Sequence, residues 1–506
     1  MNFKRRLNKL KDKGKIGNLE NCRTFDDLIP TLRMSDDLLE EVITRNPHLK
    51  IYYFKSLVDG NSIHRDILPY INDFKDLQEL EDSIPVTDCL ISATPTEIFS
   101  RLLAGNIAFR LENENKILLI NASTQEKRAI GSPEVEFSVV GPQESFVENI
   151  TTNLNLIRKR LPRYDFMVKE FTIGTVTKTK VVVAYLEDIA SDQNVQTVMQ
   201  RLENIDYDEI IDVNYINQLI QDQPMSIFPQ LINTERPDRV VAALTEGKVV
   251  IMSDGSPHGL IAPVTFTEFF FTIEDYNLNW ITSSAIRIVR FIAIFFSMFA
   301  TPTYVAVLTY HYEIIPKDLL QALISSRSAI PFPPIIEAVI LELAIELLRE
   351  AGARLPTKVG QTLGIVGGIV IGQASVEAGL TSNILLIIVA MAALASFTTP
   401  IYKMGNTIRI IRFPILVMAQ LLGLVGILLF FTQLLIHLLR LSSLGNPFME
   451  PIFPPRLADM KDFFIRLPLK FNRNRPAHLR TKQPKRFGNI HKKPVPSANN
   501  DFYDEP

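Results

Sequence analysis

The sequence is poor in the residues from which redox and catalytic centres are built. Its 506 residues include two cysteines, Cys22 and Cys89. That fits a reducing compartment and supplies neither a disulfide framework nor a thiolate metal cluster. No Gly-rich phosphate loop follows a predicted strand, and HExxH, CxxC and GxSxG are all missing. These absences leave no catalytic constellation and call for no cofactor. Charge of one sign is lacking too: 53 Lys and Arg stand against 55 Asp and Glu, a net charge of −2. Net charge therefore selects no partner. The opening MNFKRRLNKLKDKGK has no apolar core of a secretory signal, so the first 280 residues are expected to stay in the cytoplasm.

What is present is an uneven distribution of apolar residues. Residues 1–280 read as an ordinary water-facing protein, 285–440 carry long apolar runs, and 441–506 are polar and basic. The expected division is a lead with a helical segment over 1–84, subdomains over 85–150 and 151–284, a helical membrane domain over 285–440 and a basic tail over 441–506. In the first part, SDDLLEEVITRN at 35–46 has a helix cap, acids in the first turn and a proline stop. Segments 107–111, 116–120, 135–140, 167–176, 180–186 and 248–253 read as strands, with ENENK turning a hairpin between the first two. Segments 143–161, 192–204 and 206–220 read as helices. The fold class is thus an α/β or α+β N-terminal region of two subdomains, followed by an α-helical multi-span membrane domain.

Four spans are expected, at 288–310, 359–380, 383–402 and 413–439. The amphipathic segment 334–350 could lie at the interface, span, or line an aqueous cavity. From 450 to 493 twelve Lys and Arg face three acids, which places the tail inside. With both ends inside, the span number is even. Four spans satisfy this but leave Lys403, Arg409 and Arg412 outside; a fifth at 334–350 would bring them in and push the tail out.

Several side chains in the apolar region stand out. Gly360, Gly364, Gly368 and Gly372 recur every four residues, a face that lets helix backbones meet in lipid, within one subunit or between subunits. Across from it Thr362, Val366, Ile369, Gln373 and Glu377 share a face and are pore-lining candidates, although Glu377 could simply reach headgroup water. Glu342 and Glu346 are candidates for an acidic cation vestibule; a surface helix with its acids in water is the plainer reading. Three prolines in RSAIPFPP at 327–334 impose an elbow before them. RTKQPKR at 480–486 fits anionic membrane lipid better than nucleic acid.

The stretches GPQESFVENITTNLNLIRKRL (141–161), ERPDRVVAALTEGKVVIMSDGSP (235–257), IPFPPIIEAVILELAIELLREAGARLP (330–356) and IVGGIVIGQASVEAGL (365–380) resemble the A subunit of GerA-type spore germinant receptors. The resemblance runs from about residue 85 to 440. At 143 this chain has Gln where the family commonly has a basic residue. The resemblance implies a protein of the spore inner membrane, partnered by a transporter-like B subunit that senses the nutrient and by a lipoprotein C subunit. It also implies a homo-oligomer that forms a nutrient-gated ion channel. Two other readings stand beside it. One is a non-conducting signalling scaffold. The other is a secondary transporter, disfavoured because four unequal spans show no repeated halves.

Overall fold

The computed structural model describes residues 24–486, except 44–48, 72, 73, 75, 87, 113, 124–130, 356–366, 369, 457, 458 and 464. The N-terminal region holds two five-stranded sheets. In the first, β1 (Leu38–Val42), β2 (Leu49–Phe54), β3 (Cys89–Ser92), β4 (Asn106–Leu111) and β5 (Ile117–Asn121) lie in the order β1-β2-β4-β5-β3. In the second, β6 (Phe166–Ile173), β7 (Thr179–Leu186), β8 (Ile232–Thr234), β9 (Val249–Ser253) and β10 (Gly259–Ala262) lie in the order β6-β7-β9-β10-β8. Every pairing is antiparallel, so the region is α+β.

Strand alternation decides how each sheet is covered. Along β4, Ile107 and Phe109 join one core while Ala108 joins another. The second of these cores is completed by helices α1 (Phe25–Leu32) and α3 (Pro95–Leu103), and the first by α2 (Leu77–Ser83). Along β7, Val181 and Val183 face α5 (Asp192–Glu203) and α6 (Val213–Ile220). Val182 and Ala184 face α4 (Ile150–Arg160) and α7 (Pro237–Glu246). Both faces are buried, so these strands read as near-continuous apolar runs.

Several expectations change, and the helices expected at 143–161 and 206–220 shorten to 150–160 and 213–220. Residues 38–42 form edge strand β1 instead of a helix. The acids that resembled a helix first turn are held by tertiary partners: Asp37 accepts from Ser56 and Arg158, and Asp36 accepts from Glu170 N. Residues 135–140 form an irregular strap, because the amides of Val135 and Glu136 donate to the Glu235 carboxylate and not to a strand. The expected boundary at 84/85 falls between β2 and β3, inside one sheet. The ENENK hairpin, by contrast, joins β4 to β5 in register.

Beyond residue 279 the chain is helical: α8 (Trp280–Tyr310), α9 (Lys317–Arg327), α10 (Pro334–Arg354), a short helix over 370–377, α11 (Asn383–Ser396) and α12 (Tyr402–Arg440). Of these, α8 and α12 are long and apolar enough to cross a membrane. However, α12 is not one rod. Thr407 Oγ1 donates to Ile227 O at 2.7 Å, and His437 Nε2 lies 2.9 Å from Ser226 Oγ. Two helix positions thirty residues apart thus touch neighbouring residues, where a straight helix would hold them ~45 Å apart. The reversal is at Gly423, with φ 63° and ψ −141°, a region only glycine enters freely. A Cβ at Gly426 would collide with the carbonyl of Met418. The expected span at 413–439 therefore straddles a hairpin turn.

The tail folds back on the second sheet. Ser443 Oγ donates to Gln230 O at 2.7 Å, Phe266 N to Phe448 O at 2.7 Å, and Arg486 Nη2 to Glu246 at 2.9 Å. Lys482 Nζ reaches Glu187 at 2.9 Å and Asp192 at 2.8 Å. Lys482 and Arg486, expected to meet lipid, are engaged by protein carboxylates. The tail and the second sheet consequently share one side of the molecule.

Candidate functional site

The helices are tied together by a ladder of charged groups in an apolar setting. The direction of each rung follows from its partners. The base of α8 is fixed to the sheet body: Arg290 Nη1 donates to Phe270 O at 2.6 Å and to Asp275 at 3.0 Å. Its far end meets the Gly423 turn, where Tyr310 Oη donates to Gln420 O at 2.8 Å. Near that tip, Tyr304 Oη lies 3.1 Å from Ser382 Oγ, and Ser382 N donates to Glu337 at 3.2 Å. Glu337 also takes Arg327 at 2.8 Å. So α10 and α11 both begin at the tip.

Further down α10, Glu342 is buried and pairs with Arg412 of α12. Its other oxygen accepts from Thr301 Oγ1 of α8 at 2.9 Å, and Arg412 Nη2 donates to Ser297 Oγ at 2.9 Å. One turn on, Glu346 takes Arg349 at 2.6 Å and lies 3.4 Å from Arg409. The ladder thus links α8, α10 and α12. Relative to the sheet body, α8 runs out and α10 returns. The 370–377 helix runs out, α11 returns, and α12 goes out and back.

Ion pairs of this kind hold geometry more than they add stability. Burying the two charges costs about what their attraction returns, yet removing one partner typically costs ~3–5 kcal/mol because the other is left uncompensated. Glu342 and Glu346, the vestibule candidates, therefore have arginine counter-ions within this chain. Segment 334–350 is not a surface helix with its acids in water: Glu337 and Glu342 are fully enclosed, and Glu350, paired with Arg354, is exposed.

Of the pore-lining candidates, Thr362, Val366 and Ile369 lie outside the described residues, as do Gly360 and Gly364. Gln373 and Glu377 are both exposed, and Gln373 Nε2 donates to Glu377 Oε1 at 2.9 Å. Gly372 is buried, and a Cβ there would meet Leu386 of α11 at 3.6 Å. That part of the glycine stripe packs within the chain. A Cβ at Gly368 would meet nothing within 4 Å.

A second cluster joins three parts of the molecule. Arg287, on α8, is fully buried. Its Nε donates to Asp275 at 3.2 Å, and its Nη1 donates to Asp462 Oδ1 at 3.0 Å and to Asp462 O at 2.9 Å. The guanidinium lies over the Phe271 ring at 4.4 Å, a favourable cation–π contact. Burial alone would raise the Asp275 carboxyl, but Arg290 and Arg287 outweigh it and hold it below the usual range. For Asp462 burial wins over Arg287, and the carboxyl is pushed up. Helix, sheet body and tail therefore meet at one guanidinium.

Sequence reasoning missed the arginine partners. Arg409 and Arg412 stood out only as a topological conflict, which the out-and-back course of α12 removes by placing both toward the sheet body. A usable signal was Ser297 with Thr301, polar residues four apart on an otherwise apolar helix.

A family model, the Bacillus/Clostridium GerA spore germination protein, matches residues 26–478. The chain is 48% identical over 501 residues to the spore germination protein GerQA of Bacillus cereus, covering 98% of this chain and 100% of that one. It is 48% identical to GerIA of Bacillus cereus over 92% of this chain and 71% of that one. It is 36% identical to spore germination protein KA of Bacillus subtilis over 89% of this chain and 84% of that one. Among solved structures, the N-terminal domain of the A subunit of the Bacillus megaterium spore germinant receptor GerK3 is 29% identical. That match has a TM-score of 0.35 and covers 48% of this chain and 96% of that one. With the family model spanning most of its length, this chain belongs to the GerA family of spore germination proteins.

Proposed function

We propose that this protein is the A-type subunit of a nutrient germinant receptor in the spore inner membrane, and that copies of it assemble around a cation-conducting path. The helical region crosses the membrane an even number of times, with the sheets and the tail on the inner side. Support comes from the out-and-back course of the helices and from the tail lying on the second sheet. An even count of passes is what that arrangement requires.

One observation carries the conduction reading. In the helices that run between tip and sheet body, Glu337, Glu342, Glu346 and Glu350 each have an arginine partner. Glu377 has none among the described residues; it is exposed and bonded to Gln373. A lone carboxylate facing lipid is costly, so such a face calls for water or another subunit. By helical spacing in the sequence Thr362, Val366 and Ile369 would share a face with Glu377, and Val366 and Ile369 would then form an apolar constriction that closes by dewetting. A transporter-like B subunit would sense the nutrient, with a lipoprotein C subunit completing the receptor.

The Arg287 cluster favours a second reading, a scaffold that relays the nutrient signal to the tail without conducting. Cation flux into vesicles carrying the assembled receptor separates the two. Nutrient-triggered flux that falls with Glu377→Lys, while assembly persists, supports the channel. Intact nutrient response in spores with no flux in vesicles leaves the scaffold.

A further inference from the structure

A cavity of about 900 Å³ opens between the second sheet and the tail. Its acids are already held. Glu268 takes Lys248, Glu246 takes Arg486, Asp238 takes Arg236, Asp462 takes Arg287, and Asp459 accepts from Ala477 N. Its cations are not all matched. Arg473, Arg475, Arg480 and Lys485 line it and have no carboxylate within ion-pair distance among the described residues. Four unmatched cations stand against one acid without a cation partner, Asp459, so the net uncompensated charge is positive.

A second observation points into the same space. His478 lines the cavity and is 94% buried (6% exposed); neither ring nitrogen makes a hydrogen bond, and Glu268 Oε1 lies 3.7 Å from Nε2, beyond hydrogen-bond reach. Buried polar groups are nearly always satisfied, so an imidazole with one donor and one acceptor left open marks a place for a hydroxyl- or oxyanion-bearing molecule.

We propose that this seam is a binding site for a small anion carrying phosphate or carboxylate groups. Its cations hold the charge and His478 makes the inner hydrogen bond. The site does not depend on whether the helices conduct. Tyr276 and Asp462 are part of its wall, and Asp462 also holds Arg287 of α8. An occupied seam therefore braces the tail and the base of the first long helix together.

The test uses the full chain in detergent micelles with inorganic phosphate as probe. Sodium chloride at matched ionic strength is the reference. The readouts are the thermal midpoint and cleavage of the tail by proteinase K, whose specificity does not depend on Lys or Arg. The expected result is a saturable rise in midpoint, half-complete at or below millimolar phosphate, with slower tail cleavage. In R473A/R480A/K485A, whose substitutions are all on exposed side chains, the half-saturating concentration should rise at least tenfold. His478→Phe should weaken binding several-fold while the ligand-free midpoint holds. Phosphate also stabilises proteins generally by exclusion from their surface, but that effect is common to all the variants and does not saturate. Equal, non-saturating rises in native and triple-variant proteins overturn the site, as does undiminished binding by His478→Phe. Loss of the phosphate response in nanodiscs containing phosphatidylglycerol would assign the seam to a lipid headgroup and overturn a soluble ligand.

Discussion

Asp37 and Arg158 form an ion pair at 2.8 Å across 121 positions of sequence, both fully buried where the two sheets meet. The Arg158 guanidinium lies over Phe54 of the first sheet at 4.2 Å and over Phe166 of the second at 4.9 Å. Burial pulls the guanidinium below its ordinary value, and Asp37 opposes this. The two subdomains are thus pinned by one side chain of α4. Asp37→Ala leaves that charge unpaired and is expected to cost ~3–5 kcal/mol. Replacing both partners, as Asp37→Leu with Arg158→Met, should cost much less. Denaturant unfolding of the three proteins checks this; a single variant within 1 kcal/mol of native, on the scale of ordinary surface changes, sinks it.

The ladder between α10 and α12 predicts a rescue. Glu342→Ala strands Arg412 among apolar helices and should lower the yield of monodisperse protein in detergent. The exchange Glu342→Arg with Arg412→Glu restores the pair and should recover much of it. Equal yields from the single variant and native protein would show that Arg412 finds another counter-ion.

Gly423 sets the hairpin. Its φ is unfavourable for any residue with a Cβ, and that Cβ would lie 2.8 Å from His311 Nε2. Gly423→Ala is expected to cost ~1–3 kcal/mol of backbone strain, plus the displacement of His311. A membrane-impermeant label on a cysteine placed near His437 reads the outcome. Native protein should be labelled only from the inner face, and the variant should show a mixed population.

His478 gives the docked tail a pH dependence. Burial lowers its pKa from the ordinary 6.5, with Glu268, Glu450 and Asp459 opposing and Lys248 assisting. Above 6.5 the imidazole is neutral whether the tail is docked or free, so docking is at full strength. As pH falls below 6.5 towards the depressed value, the free tail takes up a proton first and docking weakens. Tail proteolysis should therefore speed up between pH 7.5 and 5.5 by several-fold, and His478→Phe should flatten the profile. A rate independent of pH in the native chain would contradict this.

The glycine stripe divides by partner. Gly372→Leu drives a side chain into Leu386 of the same chain and should disturb folding of the single subunit. Gly368→Leu meets nothing within 4 Å and should leave the isolated subunit intact while weakening assembly. Crosslinking in membranes separates the two; an unchanged ladder for Gly368→Leu removes that glycine from any interface.

Where local pattern and tertiary environment agree, the sequence was readable. Segments 107–111 and 116–120 gave β4, β5 and their hairpin, and 192–204 gave α5. It failed where a long-range partner redirected a local signal. Asp36 and Asp37 looked like first-turn acids of a helix but serve the second subdomain. The amides of 135 and 136 looked like a strand's but belong to Glu235. Gly423 was invisible for another reason: glycine recurs through the apolar region, and spacing cannot tell a packing glycine from one that reverses the chain. Counting spans by hydropathy merged the two arms of α12 for the same cause. The arginine partners of α10 were hidden because periodicity reports one helix at a time, and a ladder belongs to three.

The seam between the tail and the second sheet also imposes an order on biosynthesis. Phe448 and Met449 are part of the core that holds Phe266, Phe269 and Phe270, yet the ribosome delivers them only after every helix from α8 to α12. At about 5–20 residues per second, the sheet waits on the order of ten to forty seconds for the side chains that close it. During that interval its aromatic face is open while the helices are being threaded. A nascent chain arrested before residue 440 would keep that face open and offer itself to chaperones or proteases. Closure of that face therefore depends on residues made after the helices, Phe448 and Met449 among them.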